Sequence, residues 1–227
     1  MIDAIQILAQ QQSEILEIVL LSLLVSGSAT VISALIGIPL GAWIGLTSFP
    51  GKGMLLRIIY TLMALPPVLA GLLVYLLLSR SGLLGELEWL FTPQAMILAQ
   101  CLLVTPIITG LSAATIAGKE GIIYDHARSL GATRGQAVWT VIMESRTGII
   151  AGIMTGFGRA FAEVGAVMLV GGNIRHSTRV LTTAIILETR QGNFAMGVAL
   201  GIILLILSFI VSSIVLMNAK DFDLGEV

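Results

Sequence analysis

The sequence predicts an all-α integral membrane protein of about five transmembrane helices. Two observations carry this. Hydrophobic residues make up 56% of the 227-residue chain and charged residues only 11%, where a soluble domain carries about 25% charged residues. The mean hydropathy is +1.00, and the apolar residues fall in runs of about twenty or more, the length that crosses a bilayer. A soluble protein with a large core would interrupt such runs with polar positions every turn.

The first apolar segment covers about 14–47, "EILEIVLLSLLVSGSATVISALIGIPLGAWIGLT". It exceeds the ~20 residues a span requires, so it is expected to tilt or to project from the membrane. The preceding stretch lacks the basic region of a cleaved signal peptide, so this span is expected in the mature protein. The second segment covers about 54–79, the third 93–117, the fourth 147–171 and the fifth 194–218. The expected organisation is one transmembrane domain over 1–227, with a cytoplasmic loop at 118–146 and an outer loop or helix region at 172–193.

Lys and Arg set the orientation. With the 118–146 loop in the cytoplasm, that side collects Lys52, Arg57, Lys119, Arg128, Arg134, Arg146 and Lys220, against Arg80, Arg175, Arg179 and Arg190 outside. The N-terminus is then outside, where Asp3, Glu14 and Glu17 have no base beside them in sequence, and the C-terminus is inside.

The same totals exclude other classes. No basic stripe suggests nucleic acid, and the single cysteine, Cys101, rules out an internal disulfide and a multi-cysteine metal site. No loop is long enough to hold a soluble catalytic domain. The nearest approach to a nucleotide-binding loop, "GLTSFPGKG" at 45–53, is one residue too long and has Gly53 where Ser or Thr is needed. An intramembrane hydrolase would place a nucleophile and base in the membrane. His126 and His176 both fall in expected loops. The chain is therefore expected not to be an enzyme and to bind no metal or cofactor of its own.

One polar stretch, "YDHARSLGATRGQAV" at 124–138, stands among the oily ones. Ile123, Ala127 and Leu130 fall on one helical face, while Asp125, Arg128 and Ser129 point elsewhere. This predicts a short helix over 121–131 that ends at Gly131, a residue suited to a left-handed C-cap. Thr133 and Gln136 have capping-box spacing and open a second helix, with Val138, Val141 and Ile142 on its apolar face and Trp139 suited to the interface. The pair reads either as a connector resting on headgroups or as a helix that docks into a partner's groove.

Within the spans, Pro66 and Pro67 interrupt the second segment, followed by Gly71. Such breaks are tolerated where backbone faces protein or a water-filled cavity, and they point to a transport path. Pro106 in the third segment is weaker evidence of the same kind. Arg159 and Glu163 stand at i, i+4 in the fourth segment, as a structural and gating pair or with Arg159 meeting an anion. "GGN" at 171–173 ends that segment in a tight turn. Beyond it, Arg175, Arg179 and Arg190 belong to an outer re-entrant or surface helix, where they attract an anion, dock a binding protein or simply snorkel. Gly148, Gly152 and Gly156, spaced by four, suit close helix packing within one subunit or between two.

The polar stretch resembles the cytoplasmic loop motif of importer permeases of the ATP-binding-cassette class, E-A-A, three residues, G, nine residues, I-x-L-P. Asp125, His126 and Ala127 stand for E-A-A, Gly131 for the glycine, and Val141 and Met143 for I and L. His126 departs from the motif's alanine and Glu144 replaces the closing proline. "SFPGKG" at 48–53, "LPPVLAGLL" at 65–73 and "GFGRAFAEVGAVMLVGGN" at 156–173 resemble the oxyanion permeases of that class, which serve molybdate, sulfate and tungstate. "MESRTGIIAGIMTGFGRAFAEVGAVMLVGGNI" and "ETRQGNF" look most like the tungstate subgroup.

The resemblance implies a methionine/molybdate-importer-like permease core with a cytoplasmic coupling helix, in a bacterial or archaeal cytoplasmic membrane. Tyr124, Asp125, His126, Ala127, Arg128, Leu130, Gly131, Ala132 and Thr133 would then couple to the ATPase. Pro66, Pro67, Arg159, Glu163, Gly171, Gly172 and Asn173 would belong to the pathway or its gate. The implied partners are a second copy of the chain, a cytoplasmic ATPase dimer that carries the ATP and magnesium, an extracytoplasmic oxyanion-binding protein and membrane lipid. Molybdate or sulfate as cargo, or a passive channel, are the rival expectations.

Overall fold

The computed structural model describes residues 12–220. The N-terminal acid Asp3 and the extreme C-terminus lie outside them. The described residues form α1 (Gln12–Leu46), α2 (Lys52–Met63), α3 (Pro67–Leu78), a 3-10 turn (Gly85–Leu87), α4 (Pro93–Ser129), α5 (Arg134–Glu144), α6 (Arg146–Phe161), α7 (Gly165–Gly171), α8 (Leu181–Arg190) and α9 (Phe194–Lys220).

Three helices, α1, α4 and α9, are each long and apolar enough to cross a membrane. Two bent pairs meet the same test: α2 and α3 meet at 98°, and α5 and α6 at 53°. Counting each pair as one span gives five. The sharp bend falls at Pro66–Pro67. Pro67 occupies the first turn of α3, where its missing N–H costs nothing, and α2 ends beforehand because a residue preceding proline disfavours the helical region.

Central in the fold is α4. Along α1 its partners climb in step: Gln100 meets Ser26, Thr105 meets Ser33, and Ser112 faces Gly41. The two helices therefore run parallel, and the α2–α3 pair carries the chain back between them. Gly37, Gly41 and Gly45 give α4 close approach on this side. On another side Gly148, Gly152 and Gly156 of α6 meet Thr115, Leu111 and Val104 in descending order, an antiparallel packing. This glycine stripe thus serves packing within one subunit.

Two expectations are corrected. The short helix over 121–131 is no separate element, because α4 runs on unbroken to Ser129. Gly118 and Gly121 each cost a helix only about 1 kcal/mol. Packing of Ile123 and Tyr124 on the cluster of Ala42, Ile116, Val141 and Ile149 outweighs that. The fourth segment, in turn, is not one helix: α6 ends at Phe161, three residues intervene, and α7 begins at Gly165.

Candidate functional site: an exposed helix turn and a broken span

The turn between α4 and α5 is closed by its own hydrogen bonds. Gly131 takes a φ of 88°. Its N–H donates to Arg128 O at 3.1 Å and the Ala132 N–H to Ala127 O at 3.0 Å, the bonding of a Schellman motif. The Arg128 guanidinium donates to Ala132 O, and Ser129 Oγ to His126 O. Thr133 then closes the expected capping box with Gln136. Each turn residue is thereby fixed without help from a partner. Asp125, His126 and Arg128 are exposed, Tyr124 and Ala127 half-buried. Leu130 is 88% exposed and Trp139 63%, so the tip presents a free leucine on a rigid support.

At the other site, the 98° break sets α3 beside α7. A Cβ on Gly71 would stand 2.7 Å from the Ala166 Cα, and Gly165 faces Val68 in the same way. The two short helices run parallel, each beginning at a break. Gly171 is buried and accepts from Thr178 Oγ1. Gly172 (φ 71°) and Asn173 (φ 52°) make the left-handed turn that ends α7.

The expected pairing of Arg159 with Glu163 is not formed. Helical spacing fails because α6 has ended, and the chain carries Glu163 inward to 5% exposure. There its Oε1 accepts the Ala166 N–H at 3.0 Å, capping α7. Its carbonyl accepts Thr182 Oγ1 at 2.8 Å. Arg159 instead points out of the single chain, without a hydrogen bond or ion pair from the described residues. It stands in line with Ala151 and Thr155 on the outward face of α6, and the outward Ala162 follows in the break. Elsewhere the outward faces carry large apolar residues, such as Leu16, Leu20, Leu24 and Leu35 on α1 and Leu205 and Phe209 on α9. Those faces suit lipid; a face of small residues, a threonine and an arginine does not.

The 172–193 region also differs from a helix lying on the surface. Leu181, Thr182, Thr183 and Ala184 of α8 are buried, and the Leu181 N–H donates to Ser22 Oγ. Arg175 and Arg179 are not free to attract an anion. Both bind Glu14, at 2.7 and 3.2 Å, and His176 meets Glu17 at 2.7 Å. Arg190 is exposed at the end of α8. Sequence reasoning missed Gln100, which is buried and donates to Ala160 O and Ser26 Oγ. A glutamine within an apolar run was the available signal.

Three helices and two bent pairs long and apolar enough to cross a membrane, with Arg159 on an outward face of small residues, are the architecture of a multi-pass membrane protein. The chain belongs to the family of binding-protein-dependent transport system inner membrane components, whose model matches residues 37–223. It is 39% identical over 212 residues to the tungstate uptake system permease protein of Peptoclostridium acidaminophilum, covering 93% of each chain. It is 42% identical over 198 residues to a probable anion ABC transporter permease protein of Haloferax volcanii, covering 85% of each. The molybdenum transport system permease protein of Escherichia coli is 30% identical over 174 residues, with 73% of this chain and 76% of that one covered. The fold matches a chain of a bacterial ABC transporter involved in import of the acidic polysaccharide alginate, with a TM-score of 0.74 at 18% identity over 96% of this chain and 83% of that one. The protein is a permease subunit of an ABC importer, and such subunits are not themselves enzymes.

Proposed function

We propose that the chain forms the membrane path of a tungstate importer. Two copies enclose the path, an extracytoplasmic binding protein delivers the anion, and a cytoplasmic ATPase dimer, carrying ATP and magnesium, drives it. The observation that carries this reading is the unpaired Arg159 on the small, polar outward face of α6. A cation exposed there is costly against lipid and favourable in a water-filled path for an anion. Likeness to a tungstate permease over 93% of the chain supports tungstate as the cargo. Arg159 acts as a weak, transient contact, since a site that held the oxyanion tightly would not release it.

The exposed tip from Tyr124 to Thr133 fits the groove of the ATPase, with Leu130 as the apolar anchor and Asp125, His126 and Arg128 at the rim. Movement of that tip passes through α5 into α6, and so to Arg159, the break and Gly171. Pro66 and Pro67 hold the opposing break, and Gly172 and Asn173 close the path's outer end. The N-terminus and the 172–193 region lie outside, the α4–α5 turn inside.

Uptake of trace tungstate, molybdate and sulfate by cells with and without the gene, each in competition with the others, tests the cargo. A fall in tungstate uptake alone is expected; an equal or larger fall in molybdate or sulfate overturns the cargo and leaves the importer class. R159A is expected to lower uptake about tenfold, equivalent to ~1.4 kcal/mol, and R159K to restore part of it, with ATPase association unchanged. Full uptake by R159A removes Arg159 from the path.

A further inference from the structure

Among α1, α4, the α6–α7 break and α8 lies a small cavity of ≈ 10 Å³, bordered by Ser22, Ser26, Gln100, Glu163 and Thr182. That is room for about one water molecule. Gln100 is 3% exposed and Glu163 5%. Most polar groups at its wall have partners. Gln100 Nε2 donates to Ala160 O at 3.0 Å and to Ser26 Oγ at 3.4 Å. Thr182 Oγ1 donates to Glu163 O, and Ser22 Oγ accepts Leu181 N–H while donating to Ile18 O. One atom is left over: Gln100 Oε1 is buried and has no partner. Exchanging its amide oxygen and nitrogen would set oxygen against Ala160 O, so the contact with that carbonyl fixes the orientation.

A buried acceptor facing a cavity of this size calls for a donor with two hydrogens. We propose that a single bound water fills the cavity, donating to Gln100 Oε1 and to a Glu163 carboxyl oxygen and accepting from the Ser26 hydroxyl. The backbone on both sides of the break is then held: Ala160 O by Gln100 of α4, Glu163 O by Thr182 of α8. The water joins the two holds. No basic side chain borders the cavity. Glu163 is thus a positioning residue, which sets where α6 ends and so where Arg159 points, and is not Arg159's ion-pair partner.

The test is a structure of the assembled transporter that resolves water, combined with uptake and thermal unfolding of E163Q, E163A and Q100L. Density for one water between Gln100 and Glu163 is expected, and an empty cavity overturns the proposal. E163Q keeps one carboxamide oxygen, whose two lone pairs serve both the α7 cap and the water, so its uptake is expected within about twofold of the parent. E163A and Q100L are each expected to lose about tenfold. If E163Q falls as far as E163A, the charge of Glu163 is what matters and the water-held break is wrong. The density and unfolding readouts are independent of cargo, so they stand even if tungstate is not transported.

Discussion

A single glycine shows how closely the first and fourth helices are joined. A Cβ on Gly41 would stand 2.7 Å from Ser112 Cβ and 2.8 Å from the Thr109 carbonyl oxygen, which is backbone and cannot swing away. Gly41→Ala is therefore expected to destabilise the protein by about 1–3 kcal/mol, the usual cost of overpacking. Gly27 has nothing within 4 Å of its Cβ position, so Gly27→Ala should be neutral or stabilise by up to ~1 kcal/mol through helix propensity. Thermal unfolding of the two variants side by side checks both; equal midpoints would mean that α1 and α4 do not touch at Gly41. The spacing of Gly37, Gly41 and Gly45 was as readable as that of Gly148, Gly152 and Gly156. What spacing alone could not give is the neighbour, which for both stripes is α4. Glu163 marks the opposite limit. No proline announces the end of α6, and the break is held by Gln100 and Thr182, which are distant in sequence. An i, i+4 pairing drawn from sequence had no means of seeing it.

At the scale of elements, the α4–α5 turn was legible because its chemistry is local. Gly131 and the Thr133–Gln136 box act within a few residues, and both stand where their types demand. The extent of α4 was not legible, because Ile123 and Tyr124 are kept helical by Val141 and Ile149 across a turn. The turn's rigidity makes a prediction about its partner. Gly131→Val has no steric neighbour to strike, so its cost is the left-handed backbone alone, about 1–2 kcal/mol. Thr133→Ala should cost about 1 kcal/mol through the lost cap. Both should weaken co-purification of the ATPase more than they lower the helix content seen by circular dichroism. Leu130→Asp removes the exposed anchor without touching the turn's bonds, so it should abolish ATPase capture at unchanged thermal stability. Capture retained by Leu130→Asp would mean that the ATPase does not seat on this tip.

For the whole molecule, the parallel run of α1 and α4 decides the topology. If both cross the membrane in the same direction, the start of α1 lies on one side and the α4–α5 turn on the other. The ion pairs agree: Glu14 and Glu17 at the head of α1 hold Arg175, Arg179 and His176, which places the 172–180 loop with the N-terminal end of α1. Lys and Arg counts predict only a bias between the two faces, whereas these contacts tie named residues to one of them. Cysteine labelling assigns that face. Cys101 is half-buried, its Sγ 3.6 Å from Ala29 O inside the helix pair, so Cys101→Ala gives a quiet background. In it, Ser177→Cys, exposed in the 172–180 loop, should react with a membrane-impermeant thiol reagent in intact cells if that loop lies outside as proposed. Ser129→Cys, exposed at the end of α4, should react only after the membrane is opened. The reverse pattern would set the α4–α5 turn outside, away from any ATPase, and would remove the coupling role of the whole segment from Tyr124 to Thr133. Labelling of both sites in intact cells would mean that α4 does not separate them across a membrane.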